Sequence, residues 1–213
     1  MATDYALAAA SLAAAALLWR AGRGRGRISI RLWAMAFLST AFATLLGGTY
    51  HGFHDALDDT GRAILWKLTV YCVGLADLSL LAGAAVASGT RPVAKWILSA
   101  AVVKFAVYAV WMRSHDDFRY VISDYGCSMA GVLLLELYAY WKGRGEHAGW
   151  VVAGVLVSFA AAAVQKLQIT ISEHFNHNDL YHVIQLGALY LLYRGGLLLK
   201  DHWTSGKARV TEP

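Results

Sequence analysis

Proline is nearly missing from this chain, with two in 213 residues, so little interrupts long helices from within. Cysteine is equally rare. Cys72 and Cys127 both fall inside long apolar runs, which excludes a disulfide framework and a Cys-x-x-Cys metal site. Charge is scarce as well: 15% of residues are charged against 58% hydrophobic, a balance unlike that of soluble globular domains. The strict polar–apolar alternation of barrel strands is also lacking, so a membrane β-barrel is excluded. No internal repeat stands out, and the only biased stretch is the alanine-rich first segment.

What remains are seven apolar runs. They cover about Tyr5–Trp19, Leu32–Tyr50, Ala63–Ala87, Val93–Met112, Tyr120–Trp141, Ala148–Ile171 and Leu180–Leu199. Each approaches the roughly 20 residues that span a hydrocarbon core, where only a helix or a closed barrel satisfies its own backbone. The expected fold is all-α: one domain over residues 1–213, a seven-transmembrane-helix bundle with a short frayed tail from about 204. The first run is not a secretory signal, because Asp4 precedes it and arginines follow.

Basic residues sit in alternate connections. "RAGRGRGRISIR", "SGTRPVAK", "WKGRGEH" and the tail carry the positive charge, while "HDALDDTGR", "RSHDDFR" and "SEHFNHND" carry acids and histidines. The positive-inside rule then places the amino terminus out and the carboxyl terminus in, in a plasma membrane such as the bacterial inner membrane. The net charge of +5 is accounted for by loops that meet anionic headgroups. Membrane lipids are thus the expected surroundings, and no nucleic-acid partner is called for.

Chemistry gathers at the outer end. His51, His54, His115, His174, His177 and His182 fall there, and His147 and His202 on the other side. His51 ends the second run, and one further helical turn adds Asp55 to its face with His54 adjoining. Two imidazoles and a carboxylate within one turn suit a borderline metal such as zinc. His182 lies one turn into the seventh run with Asp179 at i−3 and Asn178 at i−4. His177 points elsewhere on a continuous helix. Ser123 and Asp124 on the fifth run lie at a similar depth. Asp77 stands near mid-membrane, where a carboxylate must be protonated or paired; it suits a proton pathway, a buried hydrogen bond or a pair with Lys104. Lys67 and Lys166 are placed to snorkel.

Two of these stretches resemble a known family. "TYHGF" closing the second run and "NDLYHVI" opening the seventh resemble the helix 2 and helix 7 motifs of the alkaline ceramidase and adiponectin-receptor superfamily. Those proteins are seven-helix membrane hydrolases that hold zinc with one histidine from helix 2 and two from helix 7. The resemblance implies His51 and His182 as ligands. It departs at Asn178, which stands where the family has its first helix 7 histidine, and at Gly47, which replaces the family's serine. The water-orienting acid of helix 3 has no counterpart nearer than Asp77. Asp179, His54 or His177 are the available replacement ligands.

Two functions are therefore expected in competition. One is a zinc-dependent hydrolase of a lipid amide or ester, with metal on His51, His182 and one of Asp179, His54 or His177, and with Asp124 or Asp55 as general base. The other is a non-enzymatic receptor, transporter or sensor binding a metal ion, a proton or a small polar ligand at the outer His/Asp cluster. Iron enzymes of the desaturase kind need more histidines than this cluster offers. Haem held between facing histidines is a further class, and a retinal Schiff base lacks its mid-membrane lysine in the seventh run.

Overall fold

The computed structural model describes residues 2–172 and 175–202. His174 and the expected frayed tail from about 204 lie outside the described residues. Among the described residues seven helices run in sequence: α1 (Ala2–Gly24), α2 (Ile28–Gly52), α3 (Asp59–Ser88), α4 (Arg91–Trp111), α5 (Phe118–Trp141), α6 (His147–Lys166) and α7 (His177–Leu198), with a short 3-10 turn at His54–Ala56 after α2. Six of the seven, α1 to α6, are long and apolar enough to cross a membrane. α7 has the length, 22 residues, but carries Asp179, His182, Gln185 and Arg194 among its apolar positions.

The outer-loop acids do local work first. Asp58 accepts from the Gly61 amide at 2.8 Å and starts α3, and Asp117 accepts from the Arg119 amide at 2.9 Å and starts α5. Asn176 does the same for α7, accepting from the amides of Asn178 and Asp179. Each satisfies amides that a helix start leaves without partners. α6 stops at Lys166, short of the Ile171 that hydropathy alone suggests. Gln168 takes a left-handed backbone with φ 53°, and the Ile169 amide closes back on the Val164 carbonyl at 3.1 Å, a wrap that ends the helix.

Neighbours in sequence pack against one another except α4 and α5, which each lie against α3, and α1 meets α7 to close the ring. α3 is the hub, touching α2, α4 and α5. α4 packs chiefly on α3 and leaves Trp96, Val102, Val103, Val107 and Val110 exposed, an apolar face of the kind that meets lipid.

The core is centred on Trp33, fully buried, whose indole N–H donates to the Leu80 carbonyl of α3 at 3.2 Å. Around it lie Leu18, Phe37, Ala84, Met129, Leu189 and Leu192. The indole fits only because Gly83 faces it: a Cβ there would stand 2.2 Å from the ring.

At the end opposite the acid-rich loops, α2 and α7 cap one another. Asp201 accepts from the amides of Ile28 and Ser29 at 2.7 and 3.0 Å and from the Ser29 hydroxyl. In return Arg25 and Arg27 donate to the carbonyls of Leu197 and Leu199 at 2.6 and 2.8 Å. Helix-end groups that would otherwise lack partners are satisfied in both directions. Asp201→Ala should lower unfolding stability by about 1–3 kcal/mol, read as a reduced midpoint in thermal unfolding of the detergent-solubilised protein. An unchanged midpoint would show that water replaces the carboxylate without loss.

Candidate functional site

The first turn of α1 carries Thr3 and Asp4 to the amino-terminal turn of α7. The Thr3 hydroxyl donates to Asp179 Oδ1 at 2.8 Å, and its oxygen stands 3.2 Å from His182 Nδ1. A hydroxyl has one hydrogen, here given to Asp179, so the contact with Nδ1 requires that nitrogen to donate. His182 Nε2 then faces Asp4 Oδ1 at 3.5 Å. That separation is longer than the 2.7–2.9 Å or so of a charge-assisted hydrogen bond. Both side chains are nearly enclosed, His182 at 13% and Asp4 at 10% exposed.

The approach of α1 is set by α2. A Cβ at Gly48 would lie 2.7 Å from Asp4 Cβ, so only glycine lets the Asp4 turn sit this close. Beside it the Tyr5 and Thr49 hydroxyls meet at 3.3 Å. Thr3 and Asp4 of α1 and Asp179 and His182 of α7 thus form one cluster at the end with the acid-rich loops, its approach set by α2.

The other sequence-derived site residues fall elsewhere. His51, His54 and Asp55 are exposed, and the Tyr50 ring packs edge-on against both His51 and His54. His177 is half-buried at the start of α7. Asn178, where the resemblance places a histidine, is engaged by Gln165 of α6, whose Nε2 donates to its Oδ1 at 2.6 Å. Ser123 donates to the Arg119 carbonyl of its own helix at 2.9 Å. Asp124 pairs with Lys104 of α4 at 2.5 Å and takes no part in the outer cluster; Lys104, offered to Asp77 by the sequence, goes to Asp124 instead.

Lys67 does more than snorkel. Its ammonium donates to the Met112 carbonyl at 2.5 Å and meets Asp116 at 2.6 Å, capping the end of α4. His115 stacks on Trp111 with ring centroids 3.9 Å apart. Lys166 is exposed.

Zinc makes a definite demand on this geometry: three protein donors converging on one point with room for water. Among the described residues no three His, Cys, Asp or Glu side chains converge in that way. Asn178 is spent on Gln165, and His182 addresses Thr3 and Asp4. The residues present do not fit the zinc site that the resemblance implies, and no catalytic step is derived through it.

Two features escaped the sequence reading. Asp4 served there only to argue against a signal peptide, although a carboxylate at the head of an alanine-rich helix was itself a signal. The other is at the inner end, where Glu136 of α5, His147 of α6 and Ser88 of α3 meet in full burial. Ser88 donates to Glu136 Oε1 at 2.9 Å, and His147 Nε2 lies 3.1 Å from Glu136 Oε2. The apolar run "LLLELYAY" displayed that carboxylate plainly.

The comparisons with known proteins place this geometry in a family. A family model described as DUF6962, a family of unknown function, matches residues 1–201. The chain belongs to that family. No curated protein matches the chain, and no solved structure does. The matched segment runs through all seven helices, from the outer cluster at Thr3 and Asp4 to the α2–α7 capping at Asp201.

Elemental analysis checks the donor argument. Purified wild type and the His51→Ala and His182→Ala variants should all hold zinc well below one ion per chain. Stoichiometric zinc in the wild type that both variants lose would overturn it and restore the hydrolase expectation.

Proposed function

We propose that this chain is an integral membrane protein of the receptor, transporter or sensor class, and that its outer cluster takes up a proton. α1 to α6 are each long and apolar enough to span, and α7 completes a seven-span bundle by packing between α6 and α1. Basic loops place the carboxyl-terminal end inside, and a bacterial inner membrane suits this arrangement. The ring of helices buries Gln185 of α7 and partly encloses Asp179 and His182, while the exposed apolar face of α4 is suited to lipid.

One observation carries the reading. His182 is held by Thr3 with Nδ1 donating, and its Nε2 is aimed at the Asp4 carboxylate at a distance that leaves the bond unclosed. An imidazole standing beside the carboxylates of Asp4 and Asp179 can take up a proton as the outer compartment acidifies. Protonation at Nε2 turns a long contact into a charge-assisted hydrogen bond between α7 and α1. Because Asp4 also abuts Gly48, the tightening reaches α2 as well.

A lipid amide or ester hydrolase remains what the family resemblance implies, but the donor set described above gives it no support. Neither Asp55, exposed in the loop after α2, nor Asp124, paired with Lys104, faces His182.

Amide hydrogen exchange tests the proton reading. After correction for the intrinsic pH dependence of exchange, acidification should raise protection in the first turns of α1 and α7. His182→Gln should abolish that response while leaving the remaining helices as protected as before. A response that survives in His182→Gln would sink the assignment. Thr3→Val, which removes the bridge but keeps the shape, should weaken protection in both turns at every pH.

A further inference from the structure

A second set of ionisable groups lies between α3, α4 and α5, apart from the outer cluster. Asp77 of α3 is fully buried, at 0% exposed, and neither of its carboxyl oxygens has a hydrogen-bond donor. Asp124 of α5 stands close enough to act on it electrostatically, and its own Oδ2 likewise has no donor. On the far side, Asp124 Oδ1 holds Lys104 at 2.5 Å, and Lys104 also reaches the Asp124 carbonyl at 3.3 Å.

Two carboxylates and one ammonium carry a net charge of −1, and charge without a partner is costly away from water. The nearby groups do not supply the missing positive charge. From α4 come Lys104, already engaged, and Tyr108, whose hydroxyl donates to the Val70 carbonyl at 2.9 Å. From α5 come Asp124 and the Tyr125 phenol. Two carboxylates do not attract each other unless a hydrogen lies between them.

We infer that Asp77 and Asp124 form a proton-binding site that holds one exchangeable proton, with Lys104 as its fixed countercharge. Uptake of one proton from water at the outer side converts the triad from a net charge of −1 to neutral; release restores the charge and returns the proton to water. The entry side is marked by exposure. The side chains of Lys104 and Asp124 are 23% and 10% exposed, while Asp77 behind them is closed off. Asp124 lies only about 9 Å along α5 from its outer start, at 1.5 Å per residue. A carboxyl pair in such a place is functional by default rather than structural, since it contributes less to stability than apolar packing would. The inference stands on α3, α4 and α5 and survives if the outer His182 reading fails.

Infrared spectroscopy of the full-length protein in lipid bilayers at neutral pH tests it. The wild type should show the C=O stretching band of a buried protonated carboxyl, and Asp77→Asn should remove it. Glu136, the other fully buried carboxyl, is separated by Glu136→Gln, which should leave the band in place. Lys104→Met removes the countercharge and should raise the band roughly twofold, since both acids must then be neutral. Transfer to heavy water should shift the band without unfolding, because the proton exchanges. No band in the wild type, a band that persists in Asp77→Asn, or one that never shifts in heavy water would each overturn the proposal. Should Lys104→Met fail to fold, the near-isosteric Asp77→Asn and the heavy-water shift decide it.

Discussion

The packing of Trp33 is the contact on which the rest of the bundle depends. Its indole is wedged among α2, α3 and α7, with Gly83 on one side and Gly196 on the other, and its one polar atom is satisfied by the Leu80 carbonyl. Small residues facing a large one let helices approach closely where no hydrophobic driving force separates helix from lipid. With α2, α3 and α7 so spaced, α1 can lie along both α2 and α7. The two ends of the bundle then become different in kind. The end at Asp201 is locked by reciprocal caps with Arg25 and Arg27. The end with the acid-rich loops is held by Thr3, Asp4, Asp179 and His182.

Among the described residues, three sets of enclosed ionisable groups each link at least one pair of helices that are not consecutive in sequence. Thr3 and Asp4 join α1 to α7, Asp77 meets Asp124 across α3 and α5 with Lys104 from α4, and Ser88, Glu136 and His147 join α3, α5 and α6. In a low-dielectric interior such pairs cost more than apolar packing of the same volume. A sequence that needed only a stable bundle would have no use for three of them. The inner set is the most completely enclosed, with Glu136 at 0% and His147 at 1% exposed; the outer two keep some contact with solvent, which is what a titrating site requires.

The resemblance to the ceramidase and adiponectin-receptor superfamily was carried by His51 and His182, and the two residues fare differently in three dimensions. His182 does face the interior from the first turns of α7. His51 stays exposed beside Tyr50, and the position where the family has its first helix 7 histidine is Asn178, engaged by Gln165. A motif of a dozen residues transfers local spacing, but ligand geometry depends on how whole helices are rotated. In this chain Gly48 admits Asp4 against the end of α2.

Much was legible in the chain itself. The seven runs and the i−3 relation of Asp179 to His182 follow from local spacing, because hydropathy and helix periodicity act over a few residues. The helix ends were less so: α6 stops early because Gln168 takes a backbone conformation that hydropathy does not encode. What only the tertiary structure decided is which partner each buried charge meets. Lys104 had two candidate acids and took Asp124, and Asp4, 178 residues from His182 in sequence, became its neighbour. Such pairings depend on the rotation and closest approach of packed helices, set by a few glycines and one tryptophan, and periodicity along a single helix carries no information about them.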